Sequence, residues 1–266
     1  MENSNPMQLP LFQVDAFTNH LFGGNPAAIC PLEHWLPDEL MQKIAMENNL
    51  SETAFFVKEG FAYHIRWFTP KVEVRLCGHA TLASAHVLYN HLGFEGETIH
   101  FHSKSGHLEV SRNGKLLILD FPSDIILETI LPQGLAEAIG KKPGEIWQGK
   151  SDYLLIYSEK NDILSIRPDF NKLRELPVRG IIVSAAGDEE DFVSRFFAPA
   201  VGVDEDPVTG SAHTTLIPYW AKRLKKDKMN ALQWSARKGH IHCEYLGDRV
   251  LIGGACTTYL SGTINI

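Results

Sequence analysis

Apolar and polar positions alternate along most of this chain, and two stretches of nearly continuous apolar character interrupt the alternation. Residues 10–17 (PLFQVDAF) read as a strand. A turn-rich segment, Gly23-Gly24-Asn25-Pro26, follows it. Pro37 then opens a helix that carries Leu40, Met41, Ile44 and Ala45 on one face. Phe61, Tyr63, Ile65 and Trp67 alternate as in a half-buried strand. Residues 79–92 (HATLASAHVLYNHL) predict an apolar helix closed by Gly93. Strands are predicted near 97–103, 107–112 and 115–121, the last two joined at Asn113-Gly114, a hairpin signal.

The second half repeats this order. Phe68-Thr69-Pro70 before Cys77-Gly78-His79-Ala80 is matched by Phe197-Ala198-Pro199 before Thr209-Gly210-Ser211-Ala212. The offset between copies grows from 129 to 132 residues across the loop, then to 133 at Gly106-His107 and Gly239-His240. A period this long indicates a duplicated domain rather than a solenoid. Residues 79–92 and 211–224 are apolar on nearly every side through their first turns, the mark of a buried helix. The expected fold is α+β: two pseudo-symmetric halves, each a barrel-like, mostly antiparallel sheet wrapped around a central helix. The halves are expected over residues 1–124 and 125–266, with the C-terminal strand able to return to the first. A cleft between similar halves is a favoured seat for a small ligand, and loops near 19–26 and 145–165 are expected to line it.

Composition narrows the function. The 266 residues are 44% apolar and 21% charged, as in an ordinary globular protein. The formal charge of −7 and a pI near 5.9 argue against nucleic acid as the main partner, though a local pocket can still take a small anion. No run of 18 apolar residues occurs, so no membrane span is expected. The start, MENSNPMQLP, has neither the basic nor the apolar region of a signal peptide. Cys30, Cys77, Cys243 and Cys256 are widely spaced and suit reduced thiols in a cytoplasm. GxGxxG after a strand, GxxxxGK[ST], HExxH and GxSxG are all absent, which removes support for nucleotide cofactors, zinc proteolysis and serine hydrolysis.

The candidate chemistry lies around the two Gly-x-Ala turns. Gly78 and Gly210 permit close backbone approach, and the first-turn N–H groups after them form ready seats for an anion. A plain helix start is the structural alternative, and the repetition in register weighs against it. Asp204, Glu205 and Asp206 stand just before the second helix, as solvated or capping acids or with Asp206 turned toward a substrate. Glu52, in NLSETAFF, stands where a helix gives way to an apolar strand, and the equivalent stretch near Ile181–Ala186 has no carboxylate. A lone Glu beside an apolar cleft can carry protons, whereas an ordinary surface or capping Glu would have no such role. His79, inside the first turn, can bind a carboxylate, relay a proton or simply pack. His100 with His102, and His240 with His242, have metal-like spacing. Without a third ligand in fixed spacing they read as surface strand histidines, and no metal site is expected.

These residues resemble the PhzF family of phenazine biosynthesis-like isomerases. The motifs are VDAFTNHLFGGNPAAIC, NLSETAFF, IRWFTPKVEVRLCGHATLASAHVL, RFFAPAVGVDEDPVTGSAH and DRVLIGGACTTYLSGTI, which together span essentially the whole chain. The resemblance implies a diaminopimelate epimerase-like fold. It also implies a cofactor-independent isomerase that moves a proton on a small anionic, carboxylate metabolite, and a homodimer. It assigns catalysis to Glu52, His79, Asp206 and Ser211, and substrate binding to Gly78, His79, Gly210 and Ser211. Related epimerases use two facing cysteines; here Cys77 stands opposite Thr209, so a two-thiol mechanism would lack one acid–base group. Two alternatives remain: a non-catalytic binding or scaffold protein of the same fold, and a one-thiol epimerase using Cys77 with Glu52.

Overall fold

The computed structural model describes residues 7–266. Residues 1–6, on which the expectation of no signal peptide rests in part, lie outside them. The chain divides into two compact units: one runs up to Leu119 and takes in Gly254–Ile266, the other is Asp120–Gly253.

The first unit contains β1 (Gln8–Ala16), β2 (Asn25–Leu32), α1 (Asp38–Asn48), β3 (Glu52–Glu59), β4 (Ala62–Phe68), β5 (Glu73–Val74), α2 (Gly78–Asn90), β6 (Thr98–Ser103), β7 (Gly106–Asn113) and the start of β8 (Leu116–Pro122). β2 and β3 pair in parallel, Ala27 opposite Glu52, and α1 is the crossover that parallel pairing requires. β3 and β4 are antiparallel, β4 and β6 parallel with α2 as crossover, and β6 and β7 antiparallel. α2 packs against β1, β2, β3 and β7, and its Ala80, Leu82, Ala83, Ala85 and Val87 are fully buried. A helix buried on all sides has no water for its hydroxyls. Thr81 and Ser84 therefore donate to the carbonyls of Cys77 and Ala80 within the helix, at 2.5 and 2.7 Å. Phe61 departs from the expected alternation. It lies in the turn before β4 and is fully exposed, while Tyr63, Ile65 and Trp67 are buried as read.

The second unit adds β9 (Leu127–Glu128), α3 (Leu135–Ile139), β10 (Glu145–Gln148), β11 (Asp152–Ile156), α4 (Lys160–Ser165), α5 (Phe170–Glu175), β12 (Gly180–Ala186), β13 (Phe192–Phe197), α6 (Gly210–Leu224), β14 (Lys228–Gln233), β15 (Gly239–Tyr245) and β16 (Arg249–Gly254). Its pairing repeats the alternation of the first: β11 and β12 parallel, β12 and β13 antiparallel, β13 and β14 parallel across α6, β14 and β15 antiparallel. Leu155, Ile181, Val183, Val193, Phe197 and Leu232 fill its core with Leu135, Ile163 and Leu173 from the short helices. Residues 145–165 are thus largely β10, β11 and α4 rather than a loop, because Ile146, Leu154 and Ile163 pack inward. Pro218 stands inside α6 and cannot donate to the carbonyl of Thr214. The N–H of Asp124 takes that carbonyl instead, at 3.1 Å.

β17 (Cys256–Asn265) belongs to the first unit because it pairs antiparallel with β1 from Gln8 opposite Asn265 to Ala16 opposite Cys256. Both units therefore present a helix-centred, sheet-dominated α+β architecture. No helix among the described residues is long and apolar enough to cross a membrane.

Candidate active site

In the first unit, parallel pairing brings the starts of β2 and β3 side by side, and so brings Asn25 near Glu52. Asn49, in the left-handed region at φ 50°, ends α1 by donating its N–H to Ala45, and Asn48 donates to the Thr53 hydroxyl at 3.1 Å. Those two contacts deliver the chain into β3 at Glu52. The loop ahead of Asn25 is strained: Phe17 and Phe22 adopt φ 63° and 69°, rare for a bulky residue. Gly24 has φ +60°, and a Cβ there would meet the Ala16 carbonyl at 2.0 Å, so only glycine fits. The N–H of Phe22 donates to the buried Asp15 carboxylate at 3.0 Å, which helps hold the loop.

The turn Cys77-Gly78-His79 reaches the same place from α2. Cys77 is the N-cap in extended conformation, with no side-chain cap bond to the first helical turn. His79 is buried, and its Nε2 lies 3.2 Å from Oε2 of Glu52, whose side chain keeps 17% of its exposure. The other ring nitrogen, Nδ1, accepts from the Asn25 amide at 3.2 Å and lies 3.5 Å from the Cys77 thiol. Accepting at Nδ1 leaves the ring proton on Nε2, the side facing Glu52. Burial pushes the His79 pKa down to about 3, so the ring is neutral at physiological pH. Glu52, Cys77 and His79 could between them hold a metal ion, since one donor atom of each lies within 4.8 Å of the others. The carboxylate and the thiol, however, address opposite nitrogens of the ring. That arrangement suits a hydrogen-bond relay through the imidazole better than a shared ion.

In the second unit the turn before α6 is built differently. Thr209 is the extended N-cap, again without a side-chain cap bond. Its hydroxyl donates to the Asp206 carboxylate at 2.5 Å. Gln233, fully buried at the end of β14, clamps the turn: it accepts from the Thr209 N–H at 2.8 Å and donates to the Asp206 carbonyl at 2.8 Å. Gly239 leaves room for Val208, whose Cγ2 would meet a Cβ there at 2.3 Å. Gly210 opens the helix, and Ser211 is exposed with its carbonyl taken by Thr214. The first unit thus gathers Glu52, Gly78 and His79, and the second Asp206, Gly210 and Ser211.

Sequence reasoning passed over Asn25, Gln233 and His213. Asn25 had a faint signal, as the polar residue between two glycines and a strand. Gln233 and His213 had none, because a polar residue at a strand end or inside a helix is commonplace until its burial is known.

Comparison with known proteins agrees with this architecture. The family model described as phenazine biosynthesis-like protein matches residues 14–262. A Pseudomonas aeruginosa protein named as an uncharacterized isomerase is 53% identical over 98% of this chain and all of its own length. The crystal structure of a PhzF-family phenazine biosynthesis protein from Enterococcus faecalis superposes with a TM-score of 0.95 at 46% identity, covering 98% of this chain and 100% of that one. A hydroxyproline epimerase from Agrobacterium vitis, only 9% identical, matches with a TM-score of 0.62 over 100% of this chain and 94% of its own, which extends the fold to epimerases. The chain is an isomerase, and it belongs to the phenazine biosynthesis-like PhzC-PhzF family.

Proposed function

We propose that this isomerase shifts a proton between two positions of a small carboxylate metabolite without a cofactor, and that Glu52 is the general acid–base. The observation that carries the reading is the 3.2 Å approach of the Glu52 carboxylate to the Nε2 of buried His79. Glu52 takes a proton from a carbon beside a carbonyl or a double bond. The electron pair of the broken C–H bond moves into that unsaturated system, and Glu52 returns the proton at another atom. Neutral His79 orients the carboxylate through Nε2–H, and Asn25 fixes the tautomer by bonding Nδ1. The open first-turn N–H groups after Gly78 and Gly210 hold the substrate carboxylate and the developing enolate. Asp206, with the Thr209 hydroxyl on its carboxylate, and exposed Ser211 position polar atoms of the substrate.

A panel of small unsaturated and hydroxy acids incubated in D₂O tests the reading. Deuterium enters at least one of them with the protein as isolated and fails to enter with Glu52→Gln. Binding of a panel member without any exchange would favour the non-catalytic alternative. The Cys77 thiol, 3.5 Å from His79 Nδ1, keeps the one-thiol reading in play. Exchange that vanishes in Cys77→Ala as completely as in Glu52→Gln would favour it.

A further inference from the structure

Histidines lie along β6 and β7 in an arrangement the chain order conceals. The antiparallel ladder sets His100 opposite Glu109 and His102 opposite His107. Alternate residues of a strand share a face, so His100, His102, His107 and Glu109 occupy adjacent rungs on one side of the hairpin. Three of their donor atoms converge. His100 Nδ1 is 3.2 Å from His107 Nε2, His107 Nε2 is 3.0 Å from Glu109 Oε1, and Glu109 Oε1 is 3.3 Å from His100 Nδ1.

Hydrogen bonds alone serve such a triangle poorly. A neutral imidazole has one N–H, and a carboxylate has none. A cation at the centre engages all three lone pairs at once. Tetrahedral zinc with nitrogen or oxygen ligands at roughly 2.0–2.1 Å spaces its donors about 3.3 Å apart, close to the three separations here. The side chains are nearly half exposed, at 44–45%, so an ion can enter and keep a water in its fourth position. The His102 ring, 5.4 Å from that of His107, borders the group.

We propose that this hairpin face is a binding site for one divalent cation of the zinc class, held by His100 Nδ1, His107 Nε2 and Glu109 Oε1. The third ligand missing from the HxH spacing comes from across the ladder. The other such pair, His240 and His242 on β15, has no such help: its rung partners are Leu232 for His240, and Asn230 and Gly253 for His242. That pair is the internal control.

The test is titration of untagged, chelator-treated protein with zinc chloride, followed by calorimetry and thermal unfolding. One equivalent binds with an affinity that falls at least tenfold in His107→Ala and in Glu109→Gln and is unchanged in His240→Ala. Zinc raises the unfolding midpoint of the unaltered protein, and this rise is lost in the two hairpin variants. Circular dichroism and the metal-free midpoint confirm that those variants are folded. Undiminished binding by folded His107→Ala overturns the proposal. So does binding that disappears in Cys77→Ala, which would put the ion beside Glu52 instead, and so does the absence of any binding at submillimolar zinc.

Discussion

The two Gly-x-Ala turns follow the same plan and carry opposite chemistry. Each follows an extended N-cap, Cys77 or Thr209, that leaves the first helical turn without a side-chain cap. The fourth residue after each N-cap returns a hydrogen bond to the N-cap carbonyl: Thr81 Oγ1 to Cys77 at 2.5 Å and His213 Nδ1–H to Thr209 at 2.8 Å. The backbone plan is therefore kept twice. The groups around it are not. In the first unit the Nε2 of a neutral histidine lies 3.2 Å from the Glu52 carboxylate. In the second the buried histidine spends its proton on the helix, and the carboxylate of Asp206 is held by a hydroxyl. The unit with no Glu52 counterpart carries Asp152 at the start of β11, and that carboxylate is tied to the Arg179 guanidinium. Burial pushes the Asp152 carboxyl up and the guanidinium offsets part of that rise.

Removing the proposed base should be the most severe break of this comparison. Glu52→Gln should lower proton exchange by roughly 10²–10⁴-fold, whereas Asp152→Asn should act on stability and leave exchange in the surviving folded protein near its original rate. D₂O exchange on purified, folded variants measures both.

Acid should expose what the two helix starts have in common. Burial holds His79 down to about 3 and His213 to about 4. Unfolded histidines protonate near 6.5, so below that pH the unfolded chain binds more protons. Stability therefore falls as pH drops from about 6.5, by up to about 1.4 kcal/mol per pH unit for each histidine. The loss levels off once each folded pKa is passed, first for His213 and then for His79. Urea unfolding between pH 7 and 5 measures the slope, and His213→Gln should make it shallower. An unchanged slope in that variant would mean His213 is not held neutral.

Smaller effects should separate the two turns. His79→Gln removes the ring nitrogen 3.2 Å from the Glu52 carboxylate, and a donor to a charged group is worth about 1.5–3 kcal/mol. Exchange should slow by roughly 10–150-fold while the protein still folds. Gln233→Leu strands the Thr209 N–H in a buried place and should cost about 1–3 kcal/mol of stability, read as a lower urea midpoint. It should also weaken substrate binding more than it slows the chemical step, because the Gln233 side chain bonds the Asp206–Thr209 turn and not Glu52 or His79.

Periodicity and repetition carried much of this in one dimension. Alternating Tyr63, Ile65 and Trp67, the uncharged run after His79, and the paired Gly-x-Ala turns follow from local rules that any strand or buried helix obeys, so they were readable residue by residue. Glu52 stood out because the second copy lacks it. Which nitrogen of His79 holds the proton, by contrast, depends on Asn25, 54 residues away. The clamp on Thr209 comes from Gln233, 24 residues on, and the third donor beside His100 arrives only through the β6–β7 register. The sequence by itself determined the elements, their duplication and the residue types at each helix start, because these depend on neighbours along the chain. The tertiary structure alone decided tautomer, burial and donor convergence, because strand pairing and water exclusion join atoms that no spacing along the chain relates.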